Sequence, residues 1–103
     1  MMVAYMYILL CSNGSYYVGS TTNLSLRLIE HQNGIGANFT SKHLPVKLIY
    51  YEECPRIEDA FLREKQIQGW SRKKKEALIH RQKDLLATLS RNYTQYGKPG
   101  SAL

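Results

Sequence analysis

Glu64 is the residue most at odds with its surroundings. It falls four residues after Ala60, three after Phe61 and three before Ile67, so a helix that turns those apolar side chains inward turns this carboxylate inward too. An unpaired ionised carboxylate against a core is costly, so Glu64 needs a counter-charge: a basic side chain, a cation or a metal ion. At the edge of a stripe it can instead snorkel to water or pair with a Lys or Arg. A second polar pair breaks the pattern of an earlier helix, where Arg27 and His31 lie four residues apart beside Leu24 and Leu28. Taken alone, Arg27 reads as an exposed side chain and His31 as a hydrogen-bonded histidine at a helix end. Together the three supply a guanidinium, an imidazole and a carboxylate, each expected to face a sheet from the same layer. Tyrosine completes the set: of eight in the chain, Tyr5, Tyr7, Tyr16 and Tyr17 fall in one short stretch. Strand propensity accounts for Tyr5 and Tyr16.

Charge distribution points toward a polyanion. Residues 63–83 hold eight of the fourteen Lys and Arg but only two of the eight acidic residues, an excess equal to the net charge of +6 for the whole chain. The remainder is neutral. One basic segment on a neutral body is the footprint of a protein that displaces counterions from phosphates, although a solvated helix surface has the same composition.

The elements that must position these groups can be read in order. Tyr5–Leu10 is aromatic and aliphatic, Ser12-Asn13-Gly14-Ser15 supplies a turn, and Tyr16–Gly19 resumes strand composition, which makes a hairpin. Asn-Gly permits two registers. A two-residue turn opposes Leu10 to Tyr17 and sends Tyr7 and Tyr17 to opposite faces; a three-residue loop ending in left-handed Gly14 opposes Leu9 to Tyr17 and puts Tyr7, Leu9 and Tyr17 on one face. Thr21-Thr22-Asn23 offers caps for a helix from Leu24 to Gln32 with Leu24, Leu28 and His31 in line. A polar loop with Gly34 and Gly36 leads to Pro45, then a third strand over Val46–Tyr51. Pro55 closes it. A second helix over Ile57–Trp70 has Ile57, Ala60, Phe61 and Ile67 as its apolar stripe, and Ser71 caps a third, with Leu78, Ile79, Leu85, Leu86 and Leu89 inward. The order β-β-α-β-α-α predicts an α+β fold, a hairpin extended by a third strand with three helices covering it.

At 103 residues the chain holds one core, with 44% apolar and 21% charged residues, which excludes collagen-like and wholly disordered classes. The expected domain spans residues 1–91, with 92–103 as a flexible tail. Cys11 and Cys54 lack metal-ligand spacing and read as buried thiols of a reducing compartment. The apolar run from Val3 to Cys11 is far shorter than the ~20 residues of a membrane span and has no basic segment before it, so the expected location is cytoplasmic, with no membrane partner.

The ordered set resembles the GIY-YIG nuclease domain, whose two signature triplets sit on adjacent strands, followed by an arginine on the next helix and a glutamate on a later one. Here Tyr5-Met6-Tyr7 stands for the first triplet, Tyr17-Val18-Gly19 for the second, Arg27 for the arginine and Glu64 for the glutamate, with His31 one turn past Arg27 where the family often has His or Tyr. The resemblance covers about residues 4–80 and is nearest to small stand-alone bacterial members. It implies a metal-dependent endonuclease that hydrolyses phosphodiester bonds in DNA, weakly specific or structure-selective, in repair or processing. RNA remains a second candidate substrate, and a nucleic-acid-binding adaptor with little or no catalysis is the alternative reading. It also implies that the strands form a three-stranded antiparallel sheet flanked by the helices, in the register that brings Tyr7 and Tyr17 together.

By the same resemblance, Glu64 is the only protein ligand of one Mg2+ or Mn2+ ion, and Arg27 shares the charge of the transition state. Tyr7 or Tyr17 is the base, its phenol pKa lowered by the cation and guanidinium; His31 positions that tyrosine or relays its proton, and Gly19 permits close packing. Arg72, Lys73, Lys74 and Lys75, with Lys42 and Lys47, are the expected phosphate contacts, and the oligomeric state expected is a monomer. Three departures stand out: Tyr5 and Met6 replace glycine and isoleucine, Ser20 stands where several members have lysine, and no asparagine occurs between Glu64 and Asn92.

Overall fold

In the computed structural model, the described residues are 3–91, with side chains through residue 81. The expected tail, 92–103, lies outside them, as do the side chains of Leu85, Leu86 and Leu89. The chain divides into two compact units, Met1–Trp70 and Ser71–Leu103. The first contains β1 (Ala4–Leu10), β2 (Tyr16–Thr21), α1 (Leu24–Gln32), α2 (Asn38–Ser41), β3 (Lys47–Cys54) and α3 (Ile57–Gln68); the second contains α4 (Arg72–Arg91). The fold is α+β, with a three-stranded antiparallel sheet in the order β2-β1-β3. Among the described residues no helix is long and apolar enough to cross a membrane.

The hairpin takes the three-residue loop. Gly14 has φ +85°, its N–H donates to the Cys11 carbonyl at 2.9 Å, and Leu9 lies opposite Tyr17. Tyr5, Tyr7 and Leu9 of β1 therefore share a face with Gly19 and Tyr17 of β2, while Met6, Ile8, Val18 and Ser20 occupy the other. Asn23 caps α1 by accepting from the Leu26 N–H at 3.1 Å, and Gly34, at φ +80°, turns the chain away after the Asn33 cap.

Each face of the sheet has its own helix. Leu24 and Leu28 of α1 pack on the Tyr7–Leu9 cluster together with Val46 and Leu48. Helix α3 meets the opposite face, where its Arg63 grips Glu52 through two hydrogen bonds of 2.8 and 3.0 Å and Tyr50 also donates to that carboxylate. Burial of Ala60 and Ile67 completes the seam.

The expectation of one polar layer is thereby corrected. Glu64 approaches the sheet from the side opposite Arg27 and His31, because α1 and α3 cover different faces. The α3 stripe is also narrower than expected: Ile57 and Phe61 are exposed, and Lys65 Nζ lies 4.9 Å from the Phe61 ring centre. What turns inward is Ala60, Glu64 and Ile67, spaced four and three apart. The polar loop after α1 contains the single-turn α2, an element absent from the periodicity reading because four residues carry no repeat.

Candidate active site

The site forms where β2, an edge strand, is crossed from both sides. Tyr7 lies opposite Gly19, and a Cβ on Gly19 would sit 2.5 Å from both Cζ and Oη of Tyr7. The ring occupies the space that any side chain there would need. Gly19→Ala is expected to dislodge Tyr7 and lower stability by roughly 1–3 kcal/mol, read as a fall in the denaturation midpoint with an unchanged slope.

Tyr7 Oη is 2.8 Å from His31 Nε2, and His31 Nδ1 is 2.9 Å from Thr40 Oγ1, whose hydroxyl donates to the Ala37 carbonyl at 3.1 Å. His31 and Thr40 are fully buried and Tyr7 is 1% exposed. Tyr17 is half-buried, with its ring centre 6.4 Å from that of Tyr7 and 5.3 Å from that of His31. Arg27 reaches the same place from α1, its Nη2 donating to the Gly36 carbonyl at 2.7 Å and its Nη1 to Glu30 at 3.0 Å. Across the strand, Glu64 Oε1 accepts from Ser20 Oγ at 2.6 Å and Oε2 from Gln68 Nε2 at 2.8 Å. Lys65 Nζ stands 3.7 Å from Oε2.

These neighbours set the acidity of the phenols. Burial pushes Tyr7 up to about 12; the Arg27 guanidinium opposes the rise, and Tyr17 and Glu64 reinforce it. Tyr17 is also raised, again by burial first, with Arg27 opposing and Glu64 adding. The expectation that the phenols are acidified is thus corrected for the protein's own groups: desolvation outweighs the guanidinium. His31 is lowered by burial and by Arg27 against a smaller push from Glu30, so it is neutral at physiological pH.

The donor chemistry at Glu64 fits the ion that the resemblance implies. Among the described residues no three His, Cys, Asp or Glu converge, which leaves one carboxylate with spare lone pairs. Such a donor suits a hard cation that keeps most of its waters, and does not suit a tetrahedral nitrogen or sulfur site.

The other expected residues fall at α2, β3 and α4. Lys42 caps the end of α2 and Lys47 begins β3, both exposed. Arg72, Lys73, Lys74 and Lys75 open α4 in the second unit, the first three exposed and the last half-buried; Arg72 pairs with Glu76 at 3.2 Å. Ser20, noted in the sequence only as a departure from the family pattern, and Gln68, which the sequence did not single out, hold Glu64, and Gln68 ties it to the β2 backbone through the Val18 carbonyl at 3.2 Å. Gln68 lies four residues after Glu64, a spacing that marks it as a neighbour. Gly36 and Thr40 had no such signal.

Comparison with known proteins bears on the family and the fold. A family model described as the GIY-YIG catalytic domain matches residues 3–77. A UPF0213 protein from Streptococcus pneumoniae is 42% identical over 81 residues, covering 79% of this chain and 82% of that protein. One from Streptococcus sanguinis is 45% identical over 76 residues, covering 74% and 87%. The solution NMR structure of a UPF0213 protein from Bacillus halodurans is similar with a TM-score of 0.51 at 38% identity, covering 77% of this chain and 84% of that one. For the solution NMR structure of a protein from E. faecalis the values are 0.54 and 35%, with 78% and 85% covered.

Proposed function

The chain belongs to the GIY-YIG catalytic domain family, and from that premise we propose that it is a metal-dependent endonuclease hydrolysing phosphodiester bonds in DNA. It acts as a cytoplasmic monomer with weak sequence preference or selectivity for DNA structure, in repair or processing. Residues 1–91 form the catalytic domain and 92–103 an appended tail. The observation that carries this reading is the convergence of the Tyr7–His31 pair, Arg27 and a half-buried Glu64 on one edge strand.

Each residue has a physical task. Arg27, held by the Gly36 carbonyl and Glu30, presents its remaining guanidinium hydrogens to phosphoryl oxygens and stabilises the charge that builds there. Glu64 holds Mg2+ or Mn2+, with Ser20 and Gln68 fixing the carboxylate. When bound, the ion supplies Lewis acidity for the phosphoryl and leaving oxygens. Tyr7 takes a proton from the attacking water while passing its own to His31 Nε2. No phenolate is required, which suits a phenol whose pKa stands at about 12. Tyr17 packs against both rings and lines the half-open side. Lys42, Lys47 and Arg72 to Lys75 bind backbone phosphates without reading bases.

The test is cleavage of duplex, nicked, branched and single-stranded DNA, and of RNA, by purified protein with each divalent metal in turn. Wild type is expected to cut DNA only with Mg2+ or Mn2+, and Arg27→Ala to cut about 100-fold more slowly. Equal rates for the two proteins would remove Arg27 from the chemistry. The adaptor reading draws on Ser20, a hydroxyl directly after the second triplet, bonded to the carboxylate it faces. It predicts salt-sensitive binding, indifferent to Glu64 substitution, without turnover.

A further inference from the structure

Between α1 and β3 the chain makes a clasp around His31. A neutral imidazole carries one exchangeable proton, so its tautomer decides whether Nε2 can accept from Tyr7. Thr40 bears on the choice. Its hydroxyl has a single hydrogen, and the 3.1 Å contact with the Ala37 carbonyl, which offers only lone pairs and also accepts from the Ser41 N–H at 2.9 Å, is a hydrogen bond only when that hydrogen goes there. The oxygen that faces His31 Nδ1 at 2.9 Å therefore accepts. Nδ1 carries the hydrogen, Nε2 is bare, and the Tyr7 hydroxyl 2.8 Å away must donate to it. The opposite tautomer would set lone pairs against lone pairs at Nδ1 unless Thr40 abandoned Ala37.

Gly36 tightens the clasp. A Cβ there would stand 2.4 Å from His31 Nδ1 and 2.9 Å from the His31 Cα, so only glycine lets the loop backbone lie on the ring. The carbonyl of the same residue holds Arg27 at 2.7 Å. One short segment thus fixes both the imidazole and the guanidinium. The groups facing His31 are Tyr7 from β1, Tyr17 from β2, Arg27 and Glu30 from α1, and Thr40 from α2.

We infer that Thr40 is a positioning residue: it holds His31 in the Nδ1–H tautomer, so that the Tyr7 hydrogen points to Nε2. The consequence for cleavage rests on the hydrolase reading above; the tautomer itself does not. In this arrangement Tyr7 can hand its proton inward to Nε2 as it takes one up.

The experiment uses the 15N-labelled full chain at pH 7.5, with the His31 ring nitrogens read by two-bond 1H–15N correlation in wild type, Thr40→Val and Thr40→Ser. Wild type and Thr40→Ser are expected to show a protonated Nδ1 and an unprotonated Nε2, and Thr40→Val a shift toward Nε2–H. Cleavage by Thr40→Val should fall about 10-fold in kcat with KM unchanged, and Thr40→Ser should recover to within about twofold of wild type, as for other residues that orient a working side chain. An Nε2–H tautomer in wild type overturns the inference even if Thr40→Val does not fold. So does a tautomer indifferent to Thr40→Val, or a shifted tautomer with unaltered cleavage. A tautomer that follows Thr40 in a protein that cuts nothing supports the structural assignment and defeats the hydrolase reading instead.

Discussion

Glu64→Gln is expected to lower metal-dependent cleavage by about 1,000-fold while the protein stays folded, a loss typical of removing a main electrostatic contributor to a transition state. The substitution preserves shape. The amide oxygen of the new side chain can still accept from Ser20 Oγ, which lies 2.6 Å from Glu64 Oε1 in the wild type, while the hydrogen bond from Gln68 Nε2 to Oε2 is lost at a solvent-accessible position, so the change in stability should stay within about 1.5 kcal/mol. What disappears is the charge that holds the ion. The same charge raises the pKa of Tyr7 and Tyr17, so its removal makes the phenols slightly better acids and cannot by itself explain a slower reaction. Nucleic-acid binding in the absence of metal should keep its affinity and its salt dependence. Cleavage at the wild-type rate would place the metal, and the chemistry, elsewhere.

Tyr7→Phe is expected to be nearly as damaging and for a different reason, with cleavage reduced by about 100- to 1,000-fold, in the range of a lost proton-transfer group. It also leaves His31 Nε2 without a partner at a residue with no exposure, which costs roughly 1–3 kcal/mol of stability. Tyr17→Phe, at a half-buried residue, should cost much less stability, so the pair separates the structural from the chemical role. If Tyr17→Phe abolishes cleavage and Tyr7→Phe only destabilises, the base is Tyr17.

The pH–rate profile discriminates further. A Tyr7 phenol with a pKa of about 12 is ionised only to about one part in 10,000 at pH 8. A phenolate mechanism would then gain tenfold per pH unit well into alkali. The relay to His31 needs only a neutral imidazole, so the rate should reach a plateau once His31 is deprotonated and fall on the acid side. Burial and Arg27 lower the His31 pKa against Glu30, which puts that acid limb below the ordinary histidine range. Stability follows the same sign: the His31 contribution is complete above the unfolded histidine pKa and is lost as pH falls through the depressed folded value.

Much of this was legible before any coordinates. Alternating aromatic residues and Asn13-Gly14 determine a hairpin, Asn23 the start of α1, and Pro55 the end of β3, because these are local preferences of backbone and side chain. The inward aim of Glu64 follows from its spacing to Ala60 and Ile67. The resemblance to a nuclease family needed only the order of five elements. Tertiary structure decided the rest. Asn-Gly by itself allows two registers; the resemblance implied the one observed, in which Leu9 rather than Leu10 is the partner of Tyr17, and that pairing is what puts two phenols on one face. Helical periodicity says which side of α1 or α3 turns inward but not which face of the sheet each covers, so Arg27 and Glu64 arrive from opposite sides. Thr40 and Gly36 carry no pattern at all. Their role arises from hydrogen bonds and close approach between segments that spacing cannot connect, and it is contacts of that kind that set where a proton sits.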